Sequence, residues 1–155
     1  MSKTITLSLL FSFVSIFQTY ACDTTTIIAH RGVSSLAPQN TLPAFQLGID
    51  LNVDYIELDV QKSSDDSLIV IHDATVDATT SYSGLVSSYS YNDLKLMDAG
   101  SWFSNDYIGT EIPTLFEVLA MAQGKIKVWS MVWFLLPSYF VTKLWGDWSI
   151  SKFRI

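Results

Sequence analysis

Apolar and polar positions along the chain fall into short runs whose period changes from segment to segment. Residues 26–29 form a brief apolar run that reads as a strand. Asn40 or Thr41 can cap a helix running to about Leu51, with Pro43 in its first turn, where a missing N–H costs little. In that helix Leu42, Phe45 and Ile49 are expected to share a face. Residues 55–61 alternate strictly, residues 63–67 make a turn, and residues 68–71 form an apolar strand. Thr114 and Glu117 make a capping box that opens a helix carrying Leu115, Val118, Leu119 and Ala122 and stopping at Gly124, and a strand over 126–128 follows. Strand, helix, strand, helix, strand is the rhythm of an α/β fold, a parallel sheet covered by helices.

Two segments stand outside this rhythm. Residues 74–110 are rich in Ser, Thr, Tyr, Asp and Gly with little periodicity, and read as a long excursion above the core. Residues 129–155 hold Trp129, Trp133, Trp145 and Trp148 but a single acid, Asp147, a shift abrupt enough to suggest a tail read out of frame. The apolar stretch 128–136 in that tail is cut by Pro137 and is shorter than a membrane-spanning helix on either side.

The first 21 residues pair Lys3 with an apolar run over 5–17 and small residues Thr19 and Ala21 before a cut, the layout of a secretory leader. Export to the periplasm or the exterior is therefore expected. Cys22, the only cysteine, follows the cut where a lipidated residue would stand, and one cysteine allows no internal disulfide. The whole chain carries a formal charge of −6, and −7 once Lys3 is removed with the leader. No clustered Lys and Arg patch is present, which argues against nucleic acid as a partner.

Four clusters carry chemistry: His30-Arg31-Gly32, Pro38-Gln39-Asn40-Thr41, Glu57 with Asp59, and His72-Asp73. In the stretch DYIELDVQ the two-residue period puts Tyr55, Glu57, Asp59 and Gln61 on one face and Ile56, Leu58 and Val60 on the other. That polar face could simply be wet. In a helix-covered parallel sheet, however, both faces are normally buried, and a buried carboxylate pair needs a partner. Two closely spaced carboxylates suit a hard divalent cation, Mg²⁺ or Ca²⁺. His30 and His72 are the only histidines, and each directly follows an apolar strand, where parallel α/β folds gather functional groups. Two imidazoles can act as acid and base in one reaction, and Arg31 beside His30 offers a bidentate grip on phosphate. Asp73 could cap the adjacent loop or orient His72.

The motifs AHRG, PQNT, AF, YIELDVQ, LIVIHD and IPTLFEVL, in that order, resemble the glycerophosphodiester phosphodiesterase family over about residues 27–128. The resemblance implies the N-terminal part of a TIM (β/α)8 barrel, a partial catalytic domain over residues 22–128 with a small insertion over about 74–112. It implies hydrolysis of glycerophosphodiesters to glycerol 3-phosphate and an alcohol. His30 and His72 match the acid and base pair, Arg31 the phosphate-binding residue, and Glu57 and Asp59 two ligands of a divalent metal. Two departures accompany it. Gln39 stands where the motif usually has Glu, and Trp129-Ser130-Met131 follows Val128 where a third, metal-binding glutamate is expected. About three strands of a barrel that takes ~250 residues are accounted for, so impaired catalysis is expected from the chain. The competing reading is a non-catalytic secreted or membrane-associated binding protein whose Trp-rich tail contacts lipid.

Overall fold

The computed structural model describes residues 25–132 together with the backbone of residues 142 and 143. The proposed leader, Cys22 and most of the Trp-rich tail lie outside the described residues. Five strands make one sheet: β1 (Ile28–Ala29), β2 (Tyr55–Lys62), β3 (Leu68–Val70), β4 (Lys127–Val132) and β5 (Thr142–Lys143). Three α-helices accompany them, α1 (Leu42–Asp50), α2 (Tyr91–Lys95) and α3 (Leu115–Ala122). Among the described residues, no helix is long and apolar enough to cross a membrane.

Strand β2 is the spine. On one edge it pairs in parallel with β4 from Tyr55 opposite Lys127 to Val60 opposite Val132. On the other edge it pairs in parallel with β1, Ile28 opposite Tyr55 and Ala29 opposite Ile56. Val60 pairs with Val70 as well as Val132, so β3 must lie on the β1 edge, farther along, and it runs antiparallel. The expected strand at 68–71 is thus the return arm of a hairpin and not a further parallel strand. The hairpin turns at residues 63–67, where the Ser63 amide donates to the Ser67 carbonyl at 3.0 Å and Asp66 takes a positive φ of 64°.

Alternation in β2 sorts the layers as its sequence requires. Ile56, Leu58 and Val60 are fully buried and join Phe45 of α1 with Val118 and Ala122 of α3 in one core. Helix α1 buries Ala44, Phe45 and Gly48; the expected face of Leu42, Phe45 and Ile49 is rotated, since Leu42 and Ile49 lie only half-buried at its margins. Gly48 is in that face because a β-carbon there would stand 2.7 Å from the Ile56 side chain. Thr41 is the residue before the first helical turn, yet its hydroxyl donates to the Pro38 carbonyl at 2.6 Å and caps nothing. The capping box of α3 is formed: the Glu117 amide donates to the Thr114 hydroxyl at 3.1 Å, and the Thr114 amide to Glu117 Oε2 at 2.7 Å.

The excursion after β3 is a small unit with its own core. Ile69, Ile71, Val76, Val86, Leu94, Met97, Ala99 and Ile112 are buried together, around α2 and a 3-10 turn at Val86–Ser88. Lys95 fastens it to the main layer, its ammonium lying 2.6 Å from Glu111 and 3.0 Å from Glu117. Strand β4 continues to Val132, past the change in composition at Val128. The residues of changed composition leave a trace there: Ser130 is buried in the helix-facing layer opposite Leu58, and its hydroxyl lacks a hydrogen-bond partner among the described residues.

Candidate active site

The site forms because two chain segments approach each other head-on along one edge of β2. From one direction comes β1: after Ala29 the chain turns, and the Gly32 amide donates to the Ala29 and Glu57 carbonyls, each at 3.2 Å. From the other comes β3, whose continuation donates the Ile71 amide to the Asp59 carbonyl at 3.1 Å. His30-Arg31 and His72 therefore leave the sheet beside Glu57 and Asp59. Gly32 is required by that turn; it has φ +77°, and a β-carbon would lie 2.7 Å from the Ala44 backbone.

Arg31 is also held in the left-handed region, at φ 58°. Its amide donates to Glu57 Oε2 at 2.8 Å, its Nε lies 3.3 Å from Asp59 Oδ2, and its Nη1 donates to Gln39 Oε1 at 2.8 Å. Asn40 completes the ring. Its Nδ2 donates to Asp59 Oδ2 at 3.0 Å, its Oδ1 accepts from the Asp59 amide at 3.3 Å, and its own amide donates to the Arg31 carbonyl at 2.9 Å. Both carboxylates are withdrawn from water, Glu57 at 8% and Asp59 at 2% exposure. Burial, with the charge of Asp59 adding to it, pushes the Glu57 carboxyl above its usual range against the opposing pull of the Arg31 amide.

His30 is open to solvent, and its Nε2 stands 4.0 Å from Glu57 Oε2. His72 is half-buried; Nδ1 pairs with Asp73 Oδ1 at 2.7 Å, and Gln61 donates its Nε2 to the His72 carbonyl at 2.9 Å. A hollow is lined by Gln39 and Asn40 together with His72 and Asp73. Of the residues singled out from sequence, Glu57 meets His30 and the Arg31 amide, Asp59 meets the Arg31 guanidinium, and His72 is connected to them through the hollow it shares with Asn40, the partner of Asp59. Gln39 and Asn40 were visible only as members of the PQNT cluster, and Asn40 only as a helix cap. The signal for Asn40 was its type: asparagine tolerates positive φ and carries both a donor and an acceptor, as its place beside a buried aspartate requires.

The donor set can be matched against a divalent cation. Glu57 and Asp59 supply buried carboxylate oxygens from one strand face. They fit a hard cation in donor type. Among the described residues, no group of three or more Asp, Glu, His or Cys side chains is placed to hold a metal ion. Trp129 is the residue in register with Glu57 on β4, and its ring meets Tyr55 edge-on at 6.4 Å.

Comparison with known proteins gives these residues a context. Residues 30–137 match the glycerophosphoryl diester phosphodiesterase family, whose members generally depend on a divalent metal. The chain is 49% identical over 100 residues to the Bacillus subtilis protein YhdW, covering 64% of this chain and 41% of that one. It is 46% identical over 101 residues to a glycerophosphodiester phosphodiesterase of Caldanaerobacter subterraneus, covering 65% and 42%. The chain therefore spans about two-fifths of the length of these curated relatives. Among solved structures, a glycerophosphodiester phosphodiesterase of Agrobacterium tumefaciens superposes with a TM-score of 0.69 at 38% identity, over 70% of this chain and 47% of that one. An Oleispira antarctica phosphodiesterase in complex with the product sn-glycerol 3-phosphate gives 0.68 at 33% identity, over 70% and 44%. The described strands and helices are accordingly part of a TIM barrel, and the chain belongs to the glycerophosphoryl diester phosphodiesterase family.

Proposed function

We propose that the chain acts on glycerophosphodiesters, releasing glycerol 3-phosphate and an alcohol by acid and base catalysis at the junction of β1, β2 and β3. The observation that carries the reading is the Arg31 guanidinium, held between Asp59 and Gln39, with Gln39 lining the same hollow as His72. Arg31 grips the phosphate and stabilises the negative charge that grows on its oxygens. Glu57 and Asp59 would hold a divalent cation, Mg²⁺ or Ca²⁺, which supplies further charge neutralisation at the phosphate. With the proton of its Nδ1 directed at Asp73, His72 presents Nε2 as the basic nitrogen, suited to take a proton from the attacking hydroxyl or water. His30, with Nε2 4.0 Å from Glu57 Oε2, then gives a proton to the departing alkoxide as the phosphorus–oxygen bond breaks.

The test is a turnover assay on glycerophosphodiesters with added Mg²⁺ or Ca²⁺. Expected is slow release of glycerol 3-phosphate, abolished by His30→Ala and by His72→Ala. Release that survives both substitutions, or none together with no affinity for glycerol 3-phosphate, would overturn the reading. Slow turnover follows because, among the described residues, no group of three or more Asp, Glu, His or Cys side chains is placed to hold a metal ion.

A further inference from the structure

Thr79 and Thr80 are neighbours in the excursion, but their hydroxyls are used differently. The Thr80 hydroxyl donates to the Val76 carbonyl at 2.8 Å and accepts the Tyr82 amide at 3.1 Å, so it is consumed in holding its own turn. Thr79 is 8% exposed, and its hydroxyl makes no hydrogen bond among the described residues. A hydroxyl so placed costs stability unless something bonds it. Among the described residues, the side-chain atoms sealed from solvent without a partner are Arg31 Nε and Ser130 Oγ. The Thr79 hydroxyl is therefore within reach of solvent, and the opening that Thr79 lines is the hollow it shares with His72.

The polar lining of that hollow is Gln39, Asn40, His72, Asp73 and Thr79; the rest is apolar, and neither Lys nor Arg takes part. A carboxylate with no guanidinium or ammonium makes a poor seat for a phosphate. Amides and a hydroxyl suit the neutral hydroxyls of a small polyol, and apolar walls suit its carbon chain. The phosphate grip adjoins the hollow through Gln39, which lines it and accepts from Arg31 Nη1 at 2.8 Å. Resting on the phosphodiesterase reading, we propose that the hollow takes the glycerol end of the substrate and that Thr79 binds one of its hydroxyls, while the phosphate stays outside at Arg31. The excursion then supplies the group that tells a glycerol phosphate from a bare phosphate, because a site built to bond a hydroxyl is left with an unpaired polar group when the ligand lacks one.

The experiment measures binding of sn-glycerol 3-phosphate and of inorganic phosphate by calorimetry, in Mg²⁺, to the full chain and to its Thr79→Val and Thr79→Ser forms, with thermal unfolding of each. Expected is tighter binding of glycerol 3-phosphate than of phosphate by the parent chain. Thr79→Val, which keeps the shape and removes the hydroxyl, should lose about fivefold for glycerol 3-phosphate and nothing for phosphate, with an unchanged or higher Tm. Thr79→Ser should recover most of the loss, and Thr79→Ala serves as a second form without the hydroxyl. Equal affinity for glycerol 3-phosphate in the parent and Thr79→Val overturns the proposal. So does an equal loss for both ligands, which marks a structural contact alone. Either result leaves the phosphodiesterase reading standing, whereas a parent chain that binds neither ligand sinks the two together.

Discussion

Replacing Asn40 by Ala should be among the most damaging single changes available near the site. The side chain is 4% exposed, donates to a buried carboxylate at 3.0 Å and accepts the Asp59 amide at 3.3 Å, all from a backbone at φ 57°. Losing a hydrogen bond to a buried charged group costs about 1.5–3 kcal/mol, and losing the neutral one adds about 1 kcal/mol. Alanine in the left-handed region costs about 1 kcal/mol more than asparagine, whose side chain tolerates it. The total is about 3.5–5 kcal/mol, a large share of the roughly 5–15 kcal/mol that holds a typical domain together. Urea unfolding followed by far-UV circular dichroism reads it as a lowered midpoint at constant slope. Two further variants separate the contributions. Asn40→Gly tolerates the backbone angle and should be no worse than Ala. Asn40→Asp keeps the shape but sets a carboxylate against Asp59, and should be the worst of the three. A cost below about 1 kcal/mol for Asn40→Ala, or an Asp variant more stable than the Ala one, would refute the account of a polar clamp on Asp59.

Gly32→Ala should unfold the chain or cost more than about 3 kcal/mol, since it combines a positive φ with a clash against Ala44; an unchanged Tm would show the turn to be pliable. Burial alone would raise the Glu117 carboxyl, but the Thr114 amide and hydroxyl and the Lys95 ammonium outweigh it and hold it below its usual value. Because its folded value is depressed, the stability it contributes is present above an unfolded value near 4.5 and is lost as pH falls through the folded one. Glu117→Gln should therefore flatten the acid side of the stability profile, measured by urea midpoints from pH 6 down to pH 3. Ser130→Ala should raise stability by about 1 kcal/mol by removing a buried hydroxyl that lacks a hydrogen-bond partner among the described residues, and a lowered Tm would reveal a bond to it. Export is a separate proposal from sequence: the secreted product should begin at Cys22 by N-terminal sequencing, and an intact Met1 on material recovered outside the cell would contradict it.

What could be read from sequence was whatever depended on local period. The two-residue alternation from Tyr55 to Gln61 placed Ile56, Leu58 and Val60 against the helices and Glu57 with Asp59 on the other side, because side-chain direction in a strand is fixed by the backbone alone. The Thr114–Glu117 box was legible for the same reason, being a bond between residues three apart. The direction of β3 was not. An apolar run of three or four residues reads the same whether it pairs in parallel or returns through a hairpin, and only the tight turn at Ser63 and Asp66 decides. The left-handed pair Arg31 and Asn40 was equally hidden, since tertiary bonds between residues far apart in sequence, to Glu57 and Asp59, maintain those angles. The interior of the excursion escaped because its buried residues have no common period, being spread over short turns.

Because the arms carrying His30 and His72 are both pinned to the backbone of β2, that strand works as a ruler between the two imidazoles. A strand advances ~3.3 Å per residue, so sliding β3 by two residues along β2 would shift His72 against His30 by ~6.6 Å. Sliding it by one would turn the side chains to the opposite face. Extra residues at the tip of the 63–67 turn, by contrast, leave the graduations untouched. Changes in the length of that tip should be tolerated, while the pairs Val60–Val70 and Lys62–Leu68 fix the spacing of the two imidazoles along the strand.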